Sequence, residues 1–117
     1  MQLTFDITSA PGYGILRLSG RILSDEKLPE ILTQVESAIA NGSTYWLCDL
    51  SQLTYCNSTG LNLFIRVLTR ARIAGGDCAL CGLQETVRKL FELSKLNEIF
   101  TSYASLDEAL NRYNTIS

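Results

Sequence analysis

The segment Cys56-Asn57-Ser58-Thr59-Gly60-Leu61 sets small hydroxyl side chains between a strand-like run and a strongly apolar helical one. A serine at such a junction lies close to the helix N-cap, where the free amides of the first turn and the positive end of the helix dipole both favour an anion. A phosphoryl group on Ser58 would be held there without melting the helix, and would change binding more than folding. The plainer account is that Asn57 and Ser58 simply cap the helix, which is worth about 1 kcal/mol. Cys78-Ala79-Leu80-Cys81 has the C-x-x-C spacing of redox pairs and zinc ligands. A redox pair of that type works at a helix N-terminus, where the dipole lowers a thiol pKa, whereas these two fall inside a strand-like run and point to opposite faces. Cys48 and Cys56 have no matching close spacing, so all four thiols are expected to be buried, reduced and metal-free. Asp49 and Ser51 end a strand-like run near Ser58, where they could assist phosphate transfer or bind Mg²⁺. Turn formation through side-chain hydrogen bonds to the local backbone explains both more simply.

Composition removes several classes of chemistry. The 117 residues contain no histidine, which excludes Ser-His-Asp and Cys-His catalysis and mixed Cys/His zinc sites. Hydrolytic catalysis is therefore not expected, and no catalytic residue or cofactor is singled out from the sequence. The net charge of −2 offers no surplus of cations for a run of phosphates, so nucleic acid is not an expected partner. Gly75-Gly76 is followed by Asp77 and a strand-like run, unlike a phosphate loop that opens a helix, so no motif supports nucleotide binding. Met1-Gln2-Leu3-Thr4-Phe5 lacks the basic and apolar blocks of a secretory signal, and no apolar run has the length of a membrane span. A cytoplasmic protein without a membrane partner is the expectation.

The elements that position these residues read as follows. Leu3, Phe5 and Ile7 alternate with polar residues as in a strand with one wet face; Pro11-Gly12 turns the chain, and a second strand runs from about Tyr13 to Ser19. Leu28, Ile31, Leu32, Val35 and Ile39 recur at helical spacing up to Asn41-Gly42, a natural stop. Tyr45 to Cys48 reads as a buried strand closed by Asp49-Leu50-Ser51, and a helix follows from Ser58 to Ala74. Cys78 to Leu83 predicts a strand, Glu85 to Ser94 a helix with Val87, Leu90 and Phe91 inward, and Ile99-Phe100 a last short strand. Ser105-Leu106-Asp107-Glu108 is a capping box for a final helix. The order ββαβαβαβα is an α/β pattern with a mixed, mostly parallel sheet, and residues 1–117 form a single domain.

On a wheel of about 100° per residue, Leu61, Phe64, Ile65 and Leu68 share one side of the helix after Ser58. The other side carries Thr59, Leu63, Arg66 and Arg70, with Val67 at its margin. Apolar groups mixed with arginine on an outward side suit the centre of a protein interface, and Ser58 lies one turn from it.

Asp49-Leu50-Ser51, then six residues, then Ser58-Thr59-Gly60-Leu61, with Gly75-Gly76 before a strand and Val87-Arg88-Lys89-Leu90-Phe91-Glu92-Leu93-Ser94-Lys95-Leu96, resemble the STAS domain of anti-sigma-factor antagonists. The likeness spans nearly the whole chain and includes the terminal helix entered through Ser105. It implies a non-enzymatic bacterial regulator of transcription that switches partners. Such a protein binds an anti-sigma factor, usually a serine kinase, and so frees a sigma factor. It also implies that Ser58 is the phosphate acceptor, that phosphorylation releases the anti-sigma factor, and that a phosphatase resets the switch. The partner surface is expected to include Asn57, Ser58, Thr59, Leu63, Arg66 and Arg70, on a monomer or weak dimer. Where the family commonly has Asp before the acceptor serine, this chain has Asn57, which keeps the cap and removes a charge. The other role that STAS-like domains suggest is a subunit of a transporter, stress-sensing or lipid-trafficking complex without a phospho-switch.

Overall fold

The computed structural model describes residues 3–23 and 27–116 of the chain, with side chains described up to Asn114. Its elements are β1 (Thr4–Ala10), β2 (Tyr13–Ile22), α1 (Leu28–Ala40), β3 (Tyr45–Cys56), α2 (Ser58–Ile73), β4 (Asp77–Cys81), α3 (Glu85–Leu93), a 3₁₀ turn (Leu96–Glu98), β5 (Thr101–Tyr103) and α4 (Leu106–Ile116). The five strands lie side by side in chain order; β1 and β2 pair antiparallel and every later pair is parallel. Each parallel crossover therefore advances by a single strand, and a helix supplies each return.

Strand residues alternate between two unequal cores. Leu16, Leu18, Trp46, Cys48, Leu50, Cys78 and Leu80 pack with Ile31 and Val35 of α1, Phe64 and Val67 of α2, and Val87 and Phe91 of α3. Ile15, Leu47 and Cys81 face the other way, under Ala109 of α4. The large core holds Trp46 with no exposed surface, and its indole N–H donates to the Ser43 carbonyl at 2.8 Å, so the ring is buried without an unpaired donor.

The helices begin and end close to the expected residues. Pro29 stands in the first turn of α1, and Asn41 and the left-handed Gly42 follow its end. Ser105 Oγ accepts the Glu108 amide at the start of α4. Four strand expectations are corrected. β3 does not close at Asp49-Leu50-Ser51 but continues to Cys56, because register shifts against β2 let Leu50, Leu53 and Cys56 all reach the large core without strict alternation. β2 extends to Ile22, where its alternation continues in pairing with the longer β3, and the last strand is Thr101–Tyr103, since Phe100 turns into the core beside Phe91. β4 starts and ends slightly earlier than its apolar run, at Asp77–Cys81.

Candidate functional site

The junction between β3 and α2 is built around Asn57. Its backbone is extended, and its side-chain Oδ1 accepts the Gly60 amide at 3.1 Å, so Asn57 is the N-cap and Ser58 the first helical residue. The Asn57 Nδ2 donates to the Leu23 carbonyl at 3.1 Å, tying α2 to the chain that leaves β2. An aspartate in this place would keep the cap but would have no proton for Leu23, so the amide does work here that a carboxylate cannot. Three residues after Asn57, Gly60 lies close against the sheet: a Cβ there would lie 2.9 Å from Cys56 Cβ and 3.1 Å from the Ile22 side chain.

Ser58 is exposed, and its hydroxyl has no hydrogen-bond partner among the described residues. It stands on the lip of a groove of about 360 Å³ between α2 and α3, lined by Tyr55, Asn57, Leu61, Leu90, Leu93 and Ser94. Leu93 is 83% exposed, which makes it the most exposed large apolar side chain described. Leu61 and Leu90 are half-buried.

The surface expected from the helix wheel needs one correction. Leu63 is only 3% exposed and belongs to the large core; Arg66 is exposed, and Thr59 is half-buried. The buried stripe of α2 is Gly60, Leu63, Phe64, Val67, Leu68 and Ala71, about 80° round the wheel from the side expected to face inward. Gly60 and Ala71 are the reason: small residues let the helix axis approach the sheet, and they mark the inward direction more faithfully than the bulk of Leu61 and Ile65. Arg70 lies on the α1 side and pairs with Glu36 at 2.9 Å. Thus Ser58 and Asn57 stand together with Leu61, Leu90 and Leu93, while Thr59, Arg66 and Arg70 follow the other flank of α2. The sequence reading missed Leu93. Its signal is an apolar residue off the Val87–Phe91 stripe of α3, set between Glu92 and Ser94.

Asp49 and Ser51 are not part of this site. Ser51 Oγ and its amide both bond to Asp49 Oδ1, at 2.8 Å and 3.1 Å, and Arg17 lies 3.9 Å from the same carboxylate. The pair sits within β3 rather than at its end, and Cys56 lies seven residue steps beyond Asp49, about 23 Å of rise.

The four cysteines are free and buried, as their apolar settings suggested. Cys78 and Cys81 lie in different cores on opposite faces of the sheet. The Cys48 and Cys78 sulfurs are 3.7 Å apart on neighbouring strands, and this hydrogen bond, followed by burial, pushes the Cys78 thiol well above the ordinary range. Burial raises Cys56 to about 11, and burial with the charges of Cys48 and Asp49 raises Cys81 to about 12. Groups held protonated in the folded state contribute stability that is complete below the unfolded thiol range, near about 8.5, and is lost as pH rises towards the folded values. Chemical denaturation midpoints should therefore be flat from pH 7 to 8 and fall steadily above pH 9 (about the unfolded range). A Cys56→Ala, Cys81→Ala double variant should lose much of that slope, and an unchanged slope would show that these thiols titrate normally.

With this geometry in view, comparison with known proteins decides the family. The family model described as the STAS domain matches residues 4–109. The chain belongs to the STAS domain family. BtrV of Bordetella bronchiseptica, which bears the name of an anti-sigma factor antagonist, is 28% identical over 115 residues, or 98% of this chain and 97% of that protein. Among solved STAS-like folds, the anti-sigma factor antagonist SpoIIAA in its unphosphorylated form superposes with a TM-score of 0.84 at 24% identity, covering 97% of this chain and 99% of that one. The Bacillus cell fate determinant SpoIIAA in its phosphorylated form gives 0.77 at 21% identity, covering 94% and 99%. Like these STAS folds, the chain is a single layered α/β unit, and among the described residues no helix is long and apolar enough to cross a membrane.

Proposed function

We propose that the protein is an anti-sigma-factor antagonist, a non-enzymatic regulator that binds an anti-sigma serine kinase and is released when that kinase phosphorylates Ser58. The observation that carries this reading is the exposed, uncommitted Ser58 hydroxyl on the lip of the Leu61, Leu90 and Leu93 groove. A phosphoryl group brings about −1.5 to −2 charges. At the first position of α2 it lies beside free amides and the positive helix end, so the folded chain tolerates it. A partner that covers the leucines must instead desolvate that charge, so phosphorylation opposes docking while leaving the fold intact. The name of BtrV and of the SpoIIAA structures supports the same role, and a phosphatase acting on phospho-Ser58 completes the cycle.

Incubation with the cognate anti-sigma kinase and ATP should add one phosphoryl group, seen by intact mass spectrometry and mapped to Ser58. Ser58→Asp should weaken calorimetric binding of that kinase by at least about 1.4 kcal/mol, a factor of ten, while thermal unfolding stays unchanged. Equal binding by Ser58→Asp and the parent chain, together with no phosphorylation, would leave a constitutive binder in place of a switch.

A further inference from the structure

A second groove, of about 340 Å³, runs on the opposite flank of α2, between α1 and α2, with Leu28, Leu32 and the core residue Leu63 in its lining and Thr33, Thr59, Asn62 and Arg66 around them. Its charge pattern is incomplete. α2 carries Arg66, Arg70 and Arg72 and no carboxylate, in a chain whose net charge is −2. Arg70 has Glu36 of α1 at 2.9 Å and Arg72 has Asp77 at 3.2 Å. Arg66 stands one helical turn before Arg70, and one turn before Glu36 on α1 the residues are Leu32 and Thr33, so the ladder of ion pairs stops. Among the described residues Arg66 has no carboxylate partner.

We propose that this groove receives a segment of the anti-sigma partner that places an apolar side chain against Leu28, Leu32 and Leu63 and a carboxylate on Arg66. The proposal rests on the antagonist reading and extends it, since the partner then grips α2 from both flanks while Ser58 controls one of them. An apolar slot beside a single unpaired guanidinium selects an acidic, amphipathic segment and rejects a basic one: the cation would meet its own sign, and a neutral segment would leave it desolvated and unpaired.

The test is calorimetric binding of the cognate anti-sigma factor to the intact chain and to three variants. Arg66→Glu should weaken binding about tenfold or more, and Arg66→Lys should keep most of it, as a charge-matched point contact. Thr33→Glu supplies the missing carboxylate from α1; by pairing with Arg66 inside the molecule it should weaken binding as Arg66→Glu does. Both positions are exposed, so unfolding temperatures should match the parent. Binding of the parent chain with Arg66→Glu and Thr33→Glu both within twofold would overturn the groove proposal and leave the antagonist reading standing. Absence of binding by the parent chain would overturn both. A concentration-dependent dimer in sedimentation, abolished by Arg66→Glu, would assign the groove to a second copy and overturn the proposal.

Discussion

Leu63→Ala is expected to lower the unfolding free energy by about 3 kcal/mol and the melting temperature by more than about 10 °C. Leu63 is 3% exposed and contributes to the core shared by α1, α2 and the sheet, so removing its three outer carbons loses their burial and leaves a cavity that neighbours in secondary structure cannot close. Leu61→Ala on the same helix is the contrasting case. Leu61 is half-buried on the Ser58 side, so its truncation should cost about 1 kcal/mol or less in stability and fall mainly on partner binding. Thermal and chemical unfolding of the two variants checks the orientation of α2 directly. A mild Leu63→Ala with a severe Leu61→Ala would return the helix to the orientation that its largest side chains suggest.

That pair of leucines shows where sequence patterning carries and where it stops. The order of elements, the parallel sheet with one antiparallel edge and the stop at Asn41-Gly42 all follow from local chemistry: period-two alternation, helical spacing and cap residues act within a few positions of one another. The rotation of α2 does not, because it is decided by contacts between elements distant in the chain. Gly60 approaches Cys56 and Ile22, and Leu63 packs in the core shared with Ile31 and Val35 of α1, whereas Leu61 borders the groove beside the short α3. The same holds for the site. A capped serine was legible from Asn57-Ser58-Thr59-Gly60, but the groove it borders is completed by Leu90 and Leu93 of α3, and the bond from Asn57 to Leu23 joins segments brought together only by the parallel crossover. The bulged continuation of β3 was hidden for a related reason: Asp49 and Ser51 bond to each other inside the strand, so turn-forming residue types stand where no turn exists.

Gly76→Ala should be as damaging as any core truncation, with a loss of about 3 kcal/mol or more, while Gly75→Ala should cost only about 1 kcal/mol. The two glycines end α2 for different reasons. Gly75 has φ of +90° and open space around its Cα, so a methyl group there meets only the backbone penalty of the left-handed region. Gly76 has no positive φ, but a Cβ on it would overlap the carbonyl of Thr44, immediately before β3. That neighbour is backbone, which cannot turn aside as a side-chain tip can. Relieving the overlap means moving the start of β4 away from β3, where Tyr45 pairs with Asp77 and Trp46 with Cys78 in the centre of the sheet. The same displacement would loosen the Arg72–Asp77 pair and the seat of Trp46, so the cost spreads over the middle of the domain. Comparing urea midpoints of the two alanine variants tests this. Equal and small losses would mean that β4 can slide relative to Thr44, and that the close approach at Gly76 places no constraint on the sheet that carries α2.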